Sequence, residues 1–132
     1  MLAPKAPKAG GGVKAVILIG HGSKARGFAS AMRRVAAGLN AGRRHGRVVC
    51  AYLDVAKPAI PEAIEACVRR GAREIKLVPY FVLEGLHVKA DIPAVVRQEA
   101  KKYAGRVKIL LAPYLGYDAL LVALVKMRIG QA

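Results

Sequence analysis

Short β-branched apolar runs that alternate with amphipathic helical stretches predict an α/β protein. The expected architecture is an open four-stranded parallel sheet with helices on both faces, in the flavodoxin-like strand order 2-1-3-4. Two observations carry this: four apolar runs too short for helices, and after each a segment with helical spacing bounded by glycine or proline. Val13 to Ile19 (VKAVILI) is the first strand, ended by Gly20. Phe28, Met32, Val35 and Leu39 then recur at intervals of four, three and four, which places a helix over Ser23 to Asn40 that stops near Gly42. Arg47 to Leu53 is the second strand, and Pro61 and Gly71 bracket a second helix from Ile60 to Arg70. Glu74 to Phe81, interrupted at Pro79, is the third strand. Asp91 and Pro93 mark the start of a helix reaching Tyr103, Val107 to Leu111 is the fourth strand, and Tyr117 to Arg128 is the last helix.

The chain has 132 residues, room for one compact unit: a flexible basic Pro/Gly tail over 1–12 and a single domain over 13–130. With 55% hydrophobic and 23% charged residues and a mean hydropathy of +0.29, a largely disordered chain is excluded. The apolar stretches near 109–117 and 119–125 are broken by Pro113, Gly116, Asp118 and Lys126, so no spanning helix is expected. The tail lacks a signal-peptide apolar core, and Cys50 and Cys67 form no disulfide framework, which points to the cytoplasm and to packed thiols. Twenty-three Lys and Arg against 8 Asp and Glu give a net charge of +15. That excess suits an anionic partner: nucleic acid, an acidic membrane surface, or a polycarboxylate or phosphate ligand. Aromatics are only 5% of the chain, with no Trp, which argues against a base-stacking platform for single-stranded nucleic acid.

In open parallel sheets, ligands bind beyond the carboxyl ends of the strands where the strand order reverses. The first strand leads there into Gly20-His21-Gly22-Ser23 and the third into Leu83-Glu84-Gly85-Leu86-His87, so two imidazoles converge if these strands are neighbours. Asp54 ends the second strand on the same edge, and Glu84 is a further carboxylate. Two His and one carboxylate make an open site for a divalent transition metal that is to be released. His45, in a basic turn at the opposite end, reads as solvated surface. Gly20-x-Gly22-x-x-Ala25 also fits a relaxed dinucleotide fingerprint, but positions 40–50 hold no acid to bind a ribose. A plain phosphate site built from Ser23, Lys24 and backbone amides is the better alternative, and with it a non-catalytic anion, tetrapyrrole or metal binding module.

Three stretches carry a resemblance: Ile19-Gly20-His21-Gly22-Ser23, Tyr52-Leu53-Asp54-Val55-Ala56-Lys57-Pro58 with Ile60-Pro61, and Val78-Pro79-Tyr80-Phe81 running to Gly85-x-His87-Val88-x-x-Asp91-Ile92-Pro93. Over residues 14–128 the chain resembles the small class II tetrapyrrole chelatases, the sirohydrochlorin cobaltochelatase and ferrochelatase group. The resemblance implies an enzyme that inserts a divalent metal, Co²⁺ foremost with Fe²⁺ or Ni²⁺ as alternatives, into sirohydrochlorin. It implies a homodimer with the cleft between subunits, no permanently bound cofactor, and His21 and His87 as metal-binding and catalytic residues. Asp54 stands where many relatives carry Glu, one methylene longer. Sirohydrochlorin is a flat apolar ring rimmed with carboxylates. Ser23, Lys24, Arg26, Lys57 and Lys89 are therefore expected around the rim, and Tyr80, Phe81, Leu83 and Leu86 as an apolar wall.

Overall fold

The computed structural model describes residues 12–42 and 45–132, with Arg26 as backbone only. The expected tail falls almost entirely outside these residues. Four parallel strands, β1 (Val13–Gly20), β2 (Arg47–Tyr52), β3 (Ala72–Pro79) and β4 (Lys108–Leu111), lie in the order β2-β1-β3-β4, the topology expected from the sequence. The helices are α1 (Arg26–Gly42), α2 (Ile60–Arg69), α3 (Ile92–Lys102) and α4 (Ala119–Gly130), with a π-helical turn, His87–Asp91, leading into α3. β3 ends at Pro79, two residues before the expected Phe81: the proline brings no N–H to the ladder, and only the Tyr80 N–H still reaches across to Ile19. α1 begins at Arg26 instead of Ser23, whose hydroxyl accepts the Ala25 N–H at 3.0 Å and holds a turn ahead of the helix.

Side-chain alternation along the strands gives the sheet two apolar faces. Ile17, Ile19, Ile75 and Leu77 pack with Ile60, Ile64 and Cys67 of α2 and with Ile92 and Val96 of α3. On the other face Val16, Leu18, Val48 and Tyr52 meet Met32 and Ala36 of α1. Pro61 in the first turn of α2 and Gly71 at φ +100° just past its end bound that helix as the sequence indicated. Cys50 and Cys67 are free thiols, and burial pushes both above the ordinary thiol range, so they are neutral packing groups. α4 forms as expected, yet among the described residues no element packs along it. No helix of the described residues is long and apolar enough to cross a membrane.

The carboxyl edge of the sheet is tied together by backbone hydrogen bonds. Tyr80 N–H donates to Ile19 at 2.8 Å, Leu53 N–H to Gly20 at 3.0 Å, and Asp54 N–H to His21 at 2.9 Å. The loop after β1 can approach the loop after β2 this closely only because residue 22 is glycine. Gly22 adopts φ +105°, and a Cβ there would overlap the Asp54 carbonyl. Gly22→Ala is therefore expected to destabilise the fold by about 2 kcal/mol or more, read from urea unfolding midpoints. An unchanged midpoint would show that the loop relaxes without loss.

Candidate metal-handling site

The convergence expected of the two histidines is present. The His21 and His87 rings lie 4.8 Å apart between centroids and meet edge to face at 69°. His21 extends from the β1 exit loop and His87 opens the π-helical turn, so two backbone segments that differ by 66 positions share one sheet edge. Their hydrogen bonds define which nitrogen is free. Nδ1 of His21 lies 3.2 Å from the Gly22 carbonyl. A carbonyl only accepts, so this nitrogen carries the proton. Nδ1 of His87 lies 2.8 Å from Oδ2 of Asp91, a carboxylate that likewise accepts. Both rings thus have Nδ1 engaged by the protein and Nε2 clear of it, and in a neutral imidazole of this tautomer Nε2 is the lone pair that binds a metal or takes up a proton.

Asp91 is the functional residue that sequence reasoning misassigned. Read as the N-cap of the third helix, it instead has helical backbone angles and makes no capping bond. The π-helical turn widens the chain between His87 and Asp91 and closes with the Ile92 N–H donating to the His87 carbonyl. The carboxylate is thereby spent on the imidazole, an arrangement that fixes ring orientation and tautomer in metal-ligating histidines. An i,i+4 His–Asp pair flanking a proline-marked helix start was the signal available in the sequence.

The expected third ligand is not assembled within the chain. Among the described residues no group of three His, Cys, Asp or Glu side chains can hold a metal ion. Asp54 turns its Oδ1 back onto the Val55 N–H at 2.9 Å, which reduces its reach, and Glu84 is an exposed loop charge. Val55 holds φ 49°, a left-handed conformation disfavoured for a β-branched residue, so this loop stores backbone strain beside the site.

The remaining candidates divide. Lys24 and Lys89 are exposed on the two histidine-bearing segments and Ser23 is half-buried, while the Arg26 side chain lies outside the described residues. Lys57 lines a cavity of about 400 Å³ beside β2 together with Arg33 and Tyr52, and neither histidine lines it. Phe81 packs against the core beneath the site. Leu83 and Leu86 are 81% and 73% exposed and Tyr80 is exposed beside them, an apolar loop next to His87 with nothing laid over it. A second cavity of about 240 Å³, lined by Val13, Arg47 and Cys67, is at the amino ends of the strands and is likewise separate from the imidazoles. His45 is exposed, as expected.

If Asp91 positions His87, Asp91→Ala should weaken Co²⁺ binding by about ten- to a hundredfold, while Asp91→Asn, which keeps an acceptor oxygen, should lose less. Titration of the protein with Co²⁺, followed by its ligand-field absorbance, reads both. Equal affinity in the wild type and Asp91→Ala would remove the positioning role.

Comparison with known proteins identifies the family and the fold. The CbiX family model matches residues 15–132. The chain is 30% identical over 118 residues to the sirohydrochlorin cobaltochelatase of Sulfolobus acidocaldarius, covering 89% of this chain and 90% of that one. It is 29% identical over 119 residues to the chloroplastic sirohydrochlorin ferrochelatase of Arabidopsis thaliana, covering 90% of this chain but 52% of the plant protein. Among solved structures, the sirohydrochlorin chelatase SirB from Bacillus subtilis subspecies spizizenii, in complex with cobalt, superposes with a TM-score of 0.82 at 28% identity, covering 90% of this chain and 50% of SirB. The chain thus spans about half the length of these longer relatives. A model match over nearly the whole chain, on a fold and strand order shared with a solved chelatase, establishes that this chain belongs to the CbiX family.

Proposed function

We propose that this protein is a sirohydrochlorin chelatase of the cytoplasm that works as a homodimer and inserts a divalent metal, Co²⁺ foremost and Fe²⁺ or Ni²⁺ as alternatives, into the macrocycle. The observation that carries the reading is the His21–His87 pair, its rings 4.8 Å apart with each Nδ1 engaged by the protein and each Nε2 clear of it. Metal insertion exchanges M²⁺ for two pyrrole N–H protons, so a site must deliver a cation and collect two protons. Two neutral imidazoles can do both in sequence. While the Nε2 atoms ligate the metal they replace part of its water shell, and imidazole exchanges readily enough to let the ion go. Once the metal has passed to the ring nitrogens, the same two lone pairs are vacant and accept the departing protons.

The surroundings suit the substrate. Leu83, Leu86 and Tyr80 offer an apolar surface to a flat ring, and Lys24 and Lys89 can pair with carboxylates on its rim. Ser23, Arg26, Lys57 and Phe81 complete the proposed substrate-binding set, Phe81 by supporting the loop from beneath. The free, neutral thiols fit a reducing compartment. Relatives named for cobalt and for iron match at similar identity, and imidazole accepts both ions, so the preference for Co²⁺ rests on the short cobaltochelatase relative that this chain spans almost end to end.

Anaerobic absorbance of sirohydrochlorin with Co²⁺, corrected for uncatalysed entry, tests the reading. His21→Ala and His87→Ala are each expected to cut insertion by about a hundredfold or more while leaving thermal unfolding unchanged. Full turnover in either variant removes that residue from the site. Asp54→Ala is expected to slow insertion by less than about tenfold, and a loss as deep as that of the histidines would make Asp54 a direct ligand. A wild type that shifts the pigment spectrum without exceeding background is a carrier.

A further inference from the structure

The cavity at the amino ends of the strands is walled by small side chains. Ala15 of β1 and Val49 of β2 form its floor, and Ala63, Ala66 and Cys67 of α2 form its roof. Ala15, Ala63 and Cys67 are each buried. Protein interiors hold few voids larger than a water molecule, yet the alanines at 15, 63, 66 and 72 leave about 240 Å³ here. A closed apolar cavity of about 150 Å³ holds benzene, so this one has room for a benzene ring with a short chain attached. The mouth is cationic. Arg47 opens β2 and Arg70 follows the last turn of α2, so one guanidinium belongs to the sheet side and the other to the helix side. Among the described residues neither has a carboxylate partner, whereas the neighbouring Arg69 is paired with Glu65 at 3.2 Å, and Glu74 and Glu99 are paired with Lys76 and Lys102. The charges of Arg70 and Arg47 both act on the Cys67 thiol and oppose the rise that burial causes, so both reach the same buried side chain. The main chain adds no donor. Arg70 N–H bonds the Ala66 and Cys67 carbonyls and Gly71 N–H bonds the Val68 carbonyl, which also engages helix-end oxygens whose partial negative charge repels an anion.

We propose that this cavity is a second ligand site of the chain, one that takes a small apolar carboxylate, with the body between α2 and the β1–β2 half of the sheet and the oxygens between Arg47 and Arg70. Two planar guanidinium forks match the two oxygens of a carboxylate. A phosphate brings a third oxygen, for which the spent amides of Arg70 and Gly71 offer nothing. Burial of the body supplies affinity and the charged mouth sets its direction. The site is separate from the imidazoles, because Ala15 and His21 are six positions apart along β1 and its exit loop, about 20 Å at the rise of a parallel strand. A ligand bound here neither blocks the histidines nor needs a metal, and the inference stands apart from the chelatase reading.

The test is a titration of the full chain with phenylpropionate, with phenylpropanamide and phenyl phosphate as comparison ligands, followed residue by residue through backbone amide NMR shifts. Phenylpropionate should shift the amides of Ala15, Ala63, Cys67 and Ala72 saturably, with a dissociation constant below about 1 mM, and leave those of His21 and His87 in place. Ala66 is an exposed helix position that opens on the cavity, and Ala66→Leu should abolish the shifts. Arg47→Gln and Arg70→Gln should each weaken binding by about tenfold. The thermal midpoint of the wild type should rise with ligand concentration while that of Ala66→Leu stays constant. The absence of a saturable shift up to about 10 mM, or shifts that persist in Ala66→Leu, overturns the site. Indifference to both arginine substitutions, or phenylpropanamide or phenyl phosphate binding as tightly as phenylpropionate, overturns the carboxylate assignment. None of these readouts involves metal insertion, so failure of the chelatase reading registers only in the absorbance assay.

Discussion

The hydrogen bond from Tyr80 N–H to the Ile19 carbonyl, at 2.8 Å, closes the β1–β3 ladder on the site side, and the functional geometry depends on it. It keeps the chain after β3 beside the chain after β1 for one residue beyond the paired strands. The two following loops then deliver imidazoles from distant parts of the sequence to a 4.8 Å separation. Its counterpart on the other flank, Asp54 to His21, anchors the carbonyl of the first histidine itself. The roots of the two histidine-bearing loops are thus tied to the neighbouring strand ends by backbone hydrogen bonds that continue the sheet.

This geometry suits a metal that must not stay. Each imidazole has one nitrogen engaged by the protein and one left free, so direction is fixed without a full coordination cage. A chain that offers two such donors, with Asp91 spent on the His87 ring and no three side chains among the described residues grouped to hold an ion, binds a divalent metal less tightly than a structural site does. The strained Val55 and the exposed leucines near the histidines fit a surface completed by a ligand or a second protein.

Much of this was legible in the sequence. Strand order and the meeting of His21 with His87 follow from parallel topology, because strand ends at a reversal of order must be neighbours and glycines mark where the loops open. Three features were hidden. Asp next to a helix start can cap the helix or bond a side chain one turn away, and only the π-helical turn decides between them for Asp91. Asp54 reads as a ligand by position, but whether its carboxylate reaches outward depends on a backbone twist that composition does not record. The last helix shows an apolar pattern that demands burial, and a pattern cannot distinguish burial against its own chain from burial against another.

The end of α1 bears on how copies of this chain can meet. In a parallel strand, the N–H and C=O of one residue point to the same side. Asn40 donates its amide to the Val48 carbonyl at 3.0 Å and accepts the Val48 N–H at 2.8 Å. One side chain therefore occupies both outward groups of a residue on the free margin of β2. The opposite margin, β4, is only four residues long. Neither border leaves an extended row of vacant donors and acceptors on which a foreign strand can grow, and a crowded solution of this protein is guarded against fibrous, strand-by-strand stacking.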